Sequence, residues 1–192
     1  MIVEKDIERL FAKQLAKIGS ADLRSKVVRT FVLACGRGRW ETLEDLAKMP
    51  FTLLTDARGV SFVEHTIAVT EGAAALGRAQ AEAYARMPYA IDFDRLYAGG
   101  LLHDVGKLLE IEPDGQGGFR KSLAGQHARH PVSGAILASE CGLPGDIVNI
   151  IVCHAKEGEG RPQVVEAVLI HQADFATFDP LVMKQKGTLI ED

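Results

Sequence analysis

The stretch Gly100-Leu101-Leu102-His103-Asp104-Val105-Gly106-Lys107 decides the reading of this chain. It sets an imidazole and a carboxylate side by side in an apolar segment. Four isolated partners surround it in sequence. His65 lies 38 residues before His103, His130 lies 26 after Asp104, His154 follows 24 further on, and Asp174 20 beyond that. Each interval suits one helix plus a connection, so each side chain is expected on a different helix. Imidazole and carboxylate are ligands of first-row divalent metals. Four imidazoles and two carboxylates are too many for one catalytic ion that keeps a position open for water. They suffice for two ions that share a bridging carboxylate. Neighbours on a helix point about 100° apart, so His103 and Asp104 can serve one centre only near a helix end or with other helices completing the set. Asp174 stands beside Ala173, Phe175 and Ala176. An unpaired carboxylate is costly to bury in such a setting, and a metal removes that cost.

Around this centre the periodicity is helical almost throughout, which predicts an all-α fold. Ile7, Leu10, Phe11, Leu15 and Ile18 form one amphipathic stripe that ends at Gly19-Ser20. A second helix carries Leu23, Val27, Phe31 and Val32 and is expected to stop at Gly36-Arg37-Gly38. Thr42 opens a third, short helix ending before Pro50. These pieces are expected to pack on the core or to mediate association between copies. Residues 50 to 60 read as irregular. Ser61 and Glu64 fit a capping box for a helix that carries His65 and runs to about Gly77. Asp92 is a candidate N-cap for a helix from Phe93 to the His-Asp pair. Residues 113 to 118 read as a polar, mobile loop. Pro131, Pro144 and Pro162 stand where proline suits a first helical turn, which predicts helices over 131–140, 144–155 and 162–178. No period is evident from Asp179 onward.

The chain has 192 residues, 47% of them apolar, enough for one domain with a sizeable core. Its net charge is −4 and its pI about 5.9, so no global basic field attracts nucleic acid. Positive charge for binding phosphate must then be supplied locally. Cys35, Cys141 and Cys153 are odd in number and lack CxxC spacing, which argues against a disulfide framework and for a reducing cytoplasm. The charged start Met1-Ile2-Val3-Glu4-Lys5-Asp6 is followed by no secretory apolar stretch. No run approaches the roughly eighteen apolar residues of a membrane span.

The order H…HD…H…H…D, in the context His103-Asp104-Val105-Gly106-Lys107, resembles the HD superfamily. The resemblance covers roughly Phe62 to Phe178. That family is all-helical and metal-dependent, and most of its characterised members are phosphohydrolases. The resemblance implies an HD-domain helical bundle over residues 51–180, with an N-terminal helical region (1–50) packed on the core and a C-terminal tail (181–192). It implies His65, His103, Asp104 and Asp174 as ligands, with Asp104 bridging two ions. His130 and His154 match the dinuclear branch, where they hold the second ion. The stretch after His154 lacks the HHE run and Gly-Tyr-Pro of the cyclic-dinucleotide phosphodiesterase branch. The small bacterial hydrolases of dinucleoside polyphosphates are the more similar branch.

Lys107, three residues after Asp104, shares its face if the helix continues. An ammonium there can stabilise a phosphoryl oxygen, the role that the HDxxK arrangement of the family implies. Asp104 and Lys107 are thus the expected catalytic pair. Arg129, Lys121 and Lys156 are weaker phosphate-contact candidates, because basic residues at helix ends are common. His127 and His171 read as ordinary histidines, with substrate contact and ligand support as the alternatives. Gly36-Arg37-Gly38-Arg39 lacks the strand and third glycine of a dinucleotide fingerprint and reads as a helix stop.

The expectation is a phosphohydrolase in which two ions lower the pKa of a bridging water that attacks phosphorus in line. Its substrate is a small phosphate ester or anhydride, a nucleotide foremost, with no nucleic-acid or membrane partner and with homo-oligomers open. Iron and manganese suit the ligand set best, while zinc, nickel and cobalt can occupy it. Two rivals share the same residues: a di-iron oxygenase of the superfamily, and a non-catalytic sensor or binding module. The polar 113–118 loop favours an open, hydrated site and so hydrolysis.

Overall fold

Polar caps set where the helices begin. In the computed structural model, which describes residues 1–155 and 160–191, the elements in order are α1 (Glu4–Leu10), α2 (Ala12–Leu15), α3 (Ala21–Gly38), α4 (Leu43–Lys48), α5 (Phe62–Ala83), α6 (Phe93–Leu102) and α7 (Lys107–Glu110). There follow β1 (Ile111–Pro113), β2 (Phe119–Lys121), α8 (Leu123–His127), α9 (His130–Glu140), α10 (Gly145–Cys153) and α11 (Val165–Gln185). The Ser61 hydroxyl accepts from Glu64 N while Glu64 Oε2 accepts from Ser61 N, the reciprocal capping box expected for α5. Asp92 accepts from Arg95 N at 3.0 Å and opens α6 as expected. Among the described residues the architecture is all-α apart from an isolated Pro50–Ser61 bridge and one antiparallel hairpin, in which Ile111 pairs with Lys121 and Pro113 with Phe119.

Several boundaries differ from the sequence reading. The first stripe is two helices, broken at Phe11 (φ −112°, ψ 26°), whose ring lies against Phe31 with centroids 4.9 Å apart. Helix α5 runs on to Ala83, six residues past Gly77. Helix α11 starts at Val165 rather than Pro162 and continues through Pro180 to Gln185. Asp179 and Pro180 are exposed, and so is Ala176, the residue whose carbonyl loses its helical donor to the proline.

The 113–118 loop is an ordered hairpin turn. The Asp114 side chain accepts from Gln116 N and Gly118 N, at 2.7 and 2.9 Å, around positive-φ Gly115 and Gly117. None of those residues lines the central cleft, so the loop does not argue for an open site.

Helix α3 ends at Gly38, within Gly36-Arg37-Gly38 as expected, with Arg39 capping it in the left-handed region (φ 62°). Gly38 is also needed for contact. A Cβ there would lie 1.9 Å from Leu108 O, and Trp40 Nε1 donates to that same carbonyl at 2.7 Å. Helix α3 therefore presses on α7, beside the site. Its Val27, Phe31 and Ala34 share one buried apolar cluster with Leu101, Leu102, Val105 and Leu108. Helix α5 packs between α11 and α6, and α10 against α9. Among the described residues no helix is long and apolar enough to cross a membrane.

Candidate metal centre

Five segments deliver six side chains to one point. His65 stands in the first turn of α5, and His103 caps the end of α6. Asp104 follows in the tight turn before α7. His130 opens α9, His154 caps the end of α10, and Asp174 sits midway along α11. The turn after Asp104 depends on Gly106. A Cβ there would meet His130 O at 2.1 Å and Gly134 N at 2.7 Å, so only glycine lets the α9 backbone approach.

The Asp104 carboxylate is the middle of the arrangement. Its Oδ2 lies 3.2 Å from His65 Nε2 and 3.3 Å from His103 Nε2. Its Oδ1 lies 3.3 Å from both His130 Nε2 and His154 Nε2. Asp174 Oδ1 is 3.2 Å from His65 Nε2 and completes the first half. The structure thus brings together all six residues singled out in the sequence. Two sets of three, His65-His103-Asp104 and Asp104-His130-His154, have donor atoms close enough to surround one ion each.

The tautomers follow from the outer nitrogens. His103 Nδ1 donates to Gly100 O at 2.6 Å, and His154 Nδ1 to Ile151 O at 2.8 Å. His65 Nδ1 meets the Thr177 hydroxyl at 3.1 Å, and His130 Nδ1 meets Glu110 Oε2 at 2.9 Å. In neutral rings held this way the Nε2 lone pairs point inward. They face a carboxylate whose two oxygens are buried and outside any hydrogen bond between the described residues, with the Lys107 ammonium as its ion-pair partner. Inward acceptors around a buried carboxylate that one ammonium serves from one side are an arrangement that a further cation relieves. Ligands about 2.1 Å from a shared ion stand roughly 3.0–3.4 Å apart from one another, the spacing found here. The residues fit a divalent metal centre.

The local charges agree with that fit. Burial works to raise the Asp104 carboxyl, but the Lys107 ammonium and His103 outweigh it and hold the group well below the usual carboxylate range. Lys107 Nζ is 2.6 Å from Asp104 Oδ2. Burial also opposes ionisation of Asp174, yet the contact with His65 holds it at about 2. Burial lowers His130 against the opposing pull of Glu110.

A cleft of about 400 Å³ opens over this centre. His130 and Asp174 reach it from the ligand set, together with Lys107, Lys121 and Arg129. Phe51, Leu53, Leu54, Phe175 and Phe178 form its apolar wall. Phe51 stacks on the His65 ring at 4.2 Å, and Lys107 Nζ lies 5.6 Å from the centre of the Phe51 ring. Lys121 and Arg129, the weaker candidates of the sequence, are therefore on the cleft wall, while Lys156 lies outside the described residues. His127 is exposed at the end of α8. His171 stays outside the ring of donors, its Nδ1 donating to His154 O at 2.6 Å. Sequence reasoning missed Glu110, Thr177 and Phe51. Their contacts to the histidines are long-range, and no local pattern marks them.

The HD domain profile matches residues 62–176, more than half of the chain. Curated relatives share the name Ribonuclease Y. The one from Pseudothermotoga lettingae is 28% identical over 168 residues, covering 88% of this chain and 28% of its own length. The one from Thermotoga maritima is 35% identical over 91 residues, 47% of this chain and 15% of its own length. The one from Acidothermus cellulolyticus is 37% identical over 84 residues, 44% of this chain and 14% of its own. The chain thus spans between about a seventh and just over a quarter of these relatives. No solved structure matches it significantly. The profile match spans the residues that carry all six convergent side chains, and the chain belongs to the HD-domain family.

Proposed function

We propose that this protein is a metal-dependent phosphohydrolase acting on a nucleotide or another small phosphate ester or anhydride. His65, His103, Asp104 and Asp174 would hold one divalent ion, and Asp104, His130 and His154 the other. Bound there, the ions would supply Lewis acidity and an activated water. The observation that carries the reading is the mixed lining of the cleft. Three cations, Lys107, Lys121 and Arg129, share it with aromatic and aliphatic side chains, so phosphoryl oxygens and an apolar group could be met in one place. Lys107 reaches both the Asp104 carboxylate and the cleft, so its ammonium can pass from offsetting that carboxylate to offsetting a phosphate. Phe175 and Phe178 offer flat surfaces on which a nucleobase can stack.

A second reading has its own observation. The relatives are named ribonucleases, which is in tension with the expectation of no nucleic-acid partner. The bond broken would then be a phosphodiester of RNA, at the same centre and with the same cations.

The test loads the chelator-stripped protein with Mn(II) under argon. It is offered mononucleotides, dinucleoside polyphosphates and an end-labelled oligoribonucleotide. Phosphate or nucleotide release, abolished in His103→Ala, supports the first reading. Shortening of the oligoribonucleotide alone moves the assignment to RNA. Turnover of none of these, with dioxygen uptake by the Fe(II) form in air, would replace hydrolysis with oxygenation. Substrate binding without turnover in either form would make the protein a binding module.

A further inference from the structure

The four histidines differ in what holds their outer nitrogens. His103 and His154 each donate to a carbonyl three residues back in their own chain segment. His65 donates to Thr177 Oγ1, whose own proton goes to Asp174 O at 2.8 Å. Among the described residues, the outer nitrogen of His130 alone of the four meets a charged side chain. Glu110 Oε2 is 2.9 Å from its Nδ1 and also accepts from its backbone N at 2.7 Å. The other oxygen, Oε1, accepts from Arg129 Nε at 2.8 Å and lies 3.8 Å from Lys121 Nζ.

We propose that Glu110 is a positioning residue that fixes His130 for the second ion and ties that ion to the cations of the cleft wall. This rests on the two-ion reading above. A carboxylate on Nδ1 fixes the ring's tautomer and orientation and makes Nε2 a more basic donor. The bond to His130 N adds a second point of attachment, so the ring is set relative to the start of α9. The place for the carboxylate is built. Glu110 is buried, Ser122 N donates to its carbonyl at 2.8 Å, and a Cβ on Gly125 would come within 2.7 Å of its Cα. The two halves of the centre also balance. Asp174 gives the first half a carboxylate directly, whereas the second half has only its share of Asp104. Glu110 supplies the missing negative charge one residue further out.

The experiment is calorimetric titration of Mn(II) into the chelator-stripped full chain, with EPR spectra at each equivalent. Wild type is expected to take two ions and to show an exchange-coupled pair. Glu110→Gln should keep one ion at wild-type affinity, bind the other roughly 10- to 100-fold more weakly, and show isolated Mn(II) at low loading. Wild-type affinity for both ions in Glu110→Gln overturns the proposal and leaves the two-ion centre standing. Equal weakening of both ions also overturns it. A wild-type protein that takes fewer than two ions overturns the two-ion reading, and this one with it. If Glu110→Gln does not fold, Glu110→Asp is titrated instead. Its shorter arm cannot hold both His130 contacts, and the same outcomes apply.

Discussion

Lys107 Nζ stands 2.6 Å from Asp104 Oδ2, the same oxygen that faces His65 and His103. One ammonium thus compensates a carboxylate that is almost wholly buried. Metal ions would compensate the same carboxylate, so Lys107 and the ions are partly redundant for stability and distinct for catalysis. Lys107→Met is expected to destabilise the chelator-treated protein by about 3 kcal/mol, the cost of stranding one partner of a buried pair. Mn(II) should restore most of that loss. The loaded variant should still lose on the order of 10²–10³ in rate. Thermal melts with EDTA and with Mn(II), beside steady-state rates, check both halves. Full activity in the variant would remove its assigned role.

Asp104→Ala takes away the group common to both triads of donors. It is expected to lose both ions, whereas Asp174→Ala should lose one. Metal content after gel filtration, measured per chain, separates the two outcomes. Retention of two ions by Asp104→Ala would exclude a bridging carboxylate.

Gly36 and Gly38 look alike in sequence and should behave oppositely. A Cβ on Gly36 meets nothing within 4 Å, and one on Gly38 meets Leu108 O at 1.9 Å. Gly36→Ala is expected to be neutral or to stabilise by up to about 1 kcal/mol, through helix propensity. Gly38→Ala should destabilise by about 3 kcal/mol, because the obstacle is backbone and cannot rotate away. Urea titrations of the two variants decide it.

Glu110 gives the stability a pH signature. Burial opposes its ionisation, but the His130 contact and Arg129 hold the carboxyl down at about 2, against an ordinary 4.5. A depressed carboxyl contributes stability above its ordinary value, and the contribution is lost as pH falls through the folded-state value. Chelator-treated wild type should exceed Glu110→Gln by about 2 kcal/mol at pH 6. The gap should narrow below pH 4.5 and close near pH 2. A gap that stays constant with pH would assign it to packing instead of charge.

Much of this molecule was legible in its sequence because the relevant physics is local. Helical periodicity, the Ser61-Glu64 box and the Asp92 cap depend on neighbours within one or two turns, and the helices begin there. The six convergent residues could be picked out because their order and spacing along the chain resemble a family pattern, and because a carboxylate in the apolar setting of Asp174 needs a partner. What misled was also local. Pro162 read as the start of the last helix, because proline has strong intrinsic preferences that packing can override.

By itself, then, the sequence determined the helical class, the ligand chemistry and the order in which the donors occur along the chain. Only the tertiary structure decided that one Asp104 oxygen faces each pair of histidines, that Glu110 and Thr177 hold two of the rings, and that Lys121 and Arg129 border the cleft. The physical reason is range. Glu110 is 20 residues from His130, and Thr177 is 112 from His65. That His130 meets Glu110 depends on how closely α7 and α9 approach, and that distance depends on the missing Cβ of Gly106.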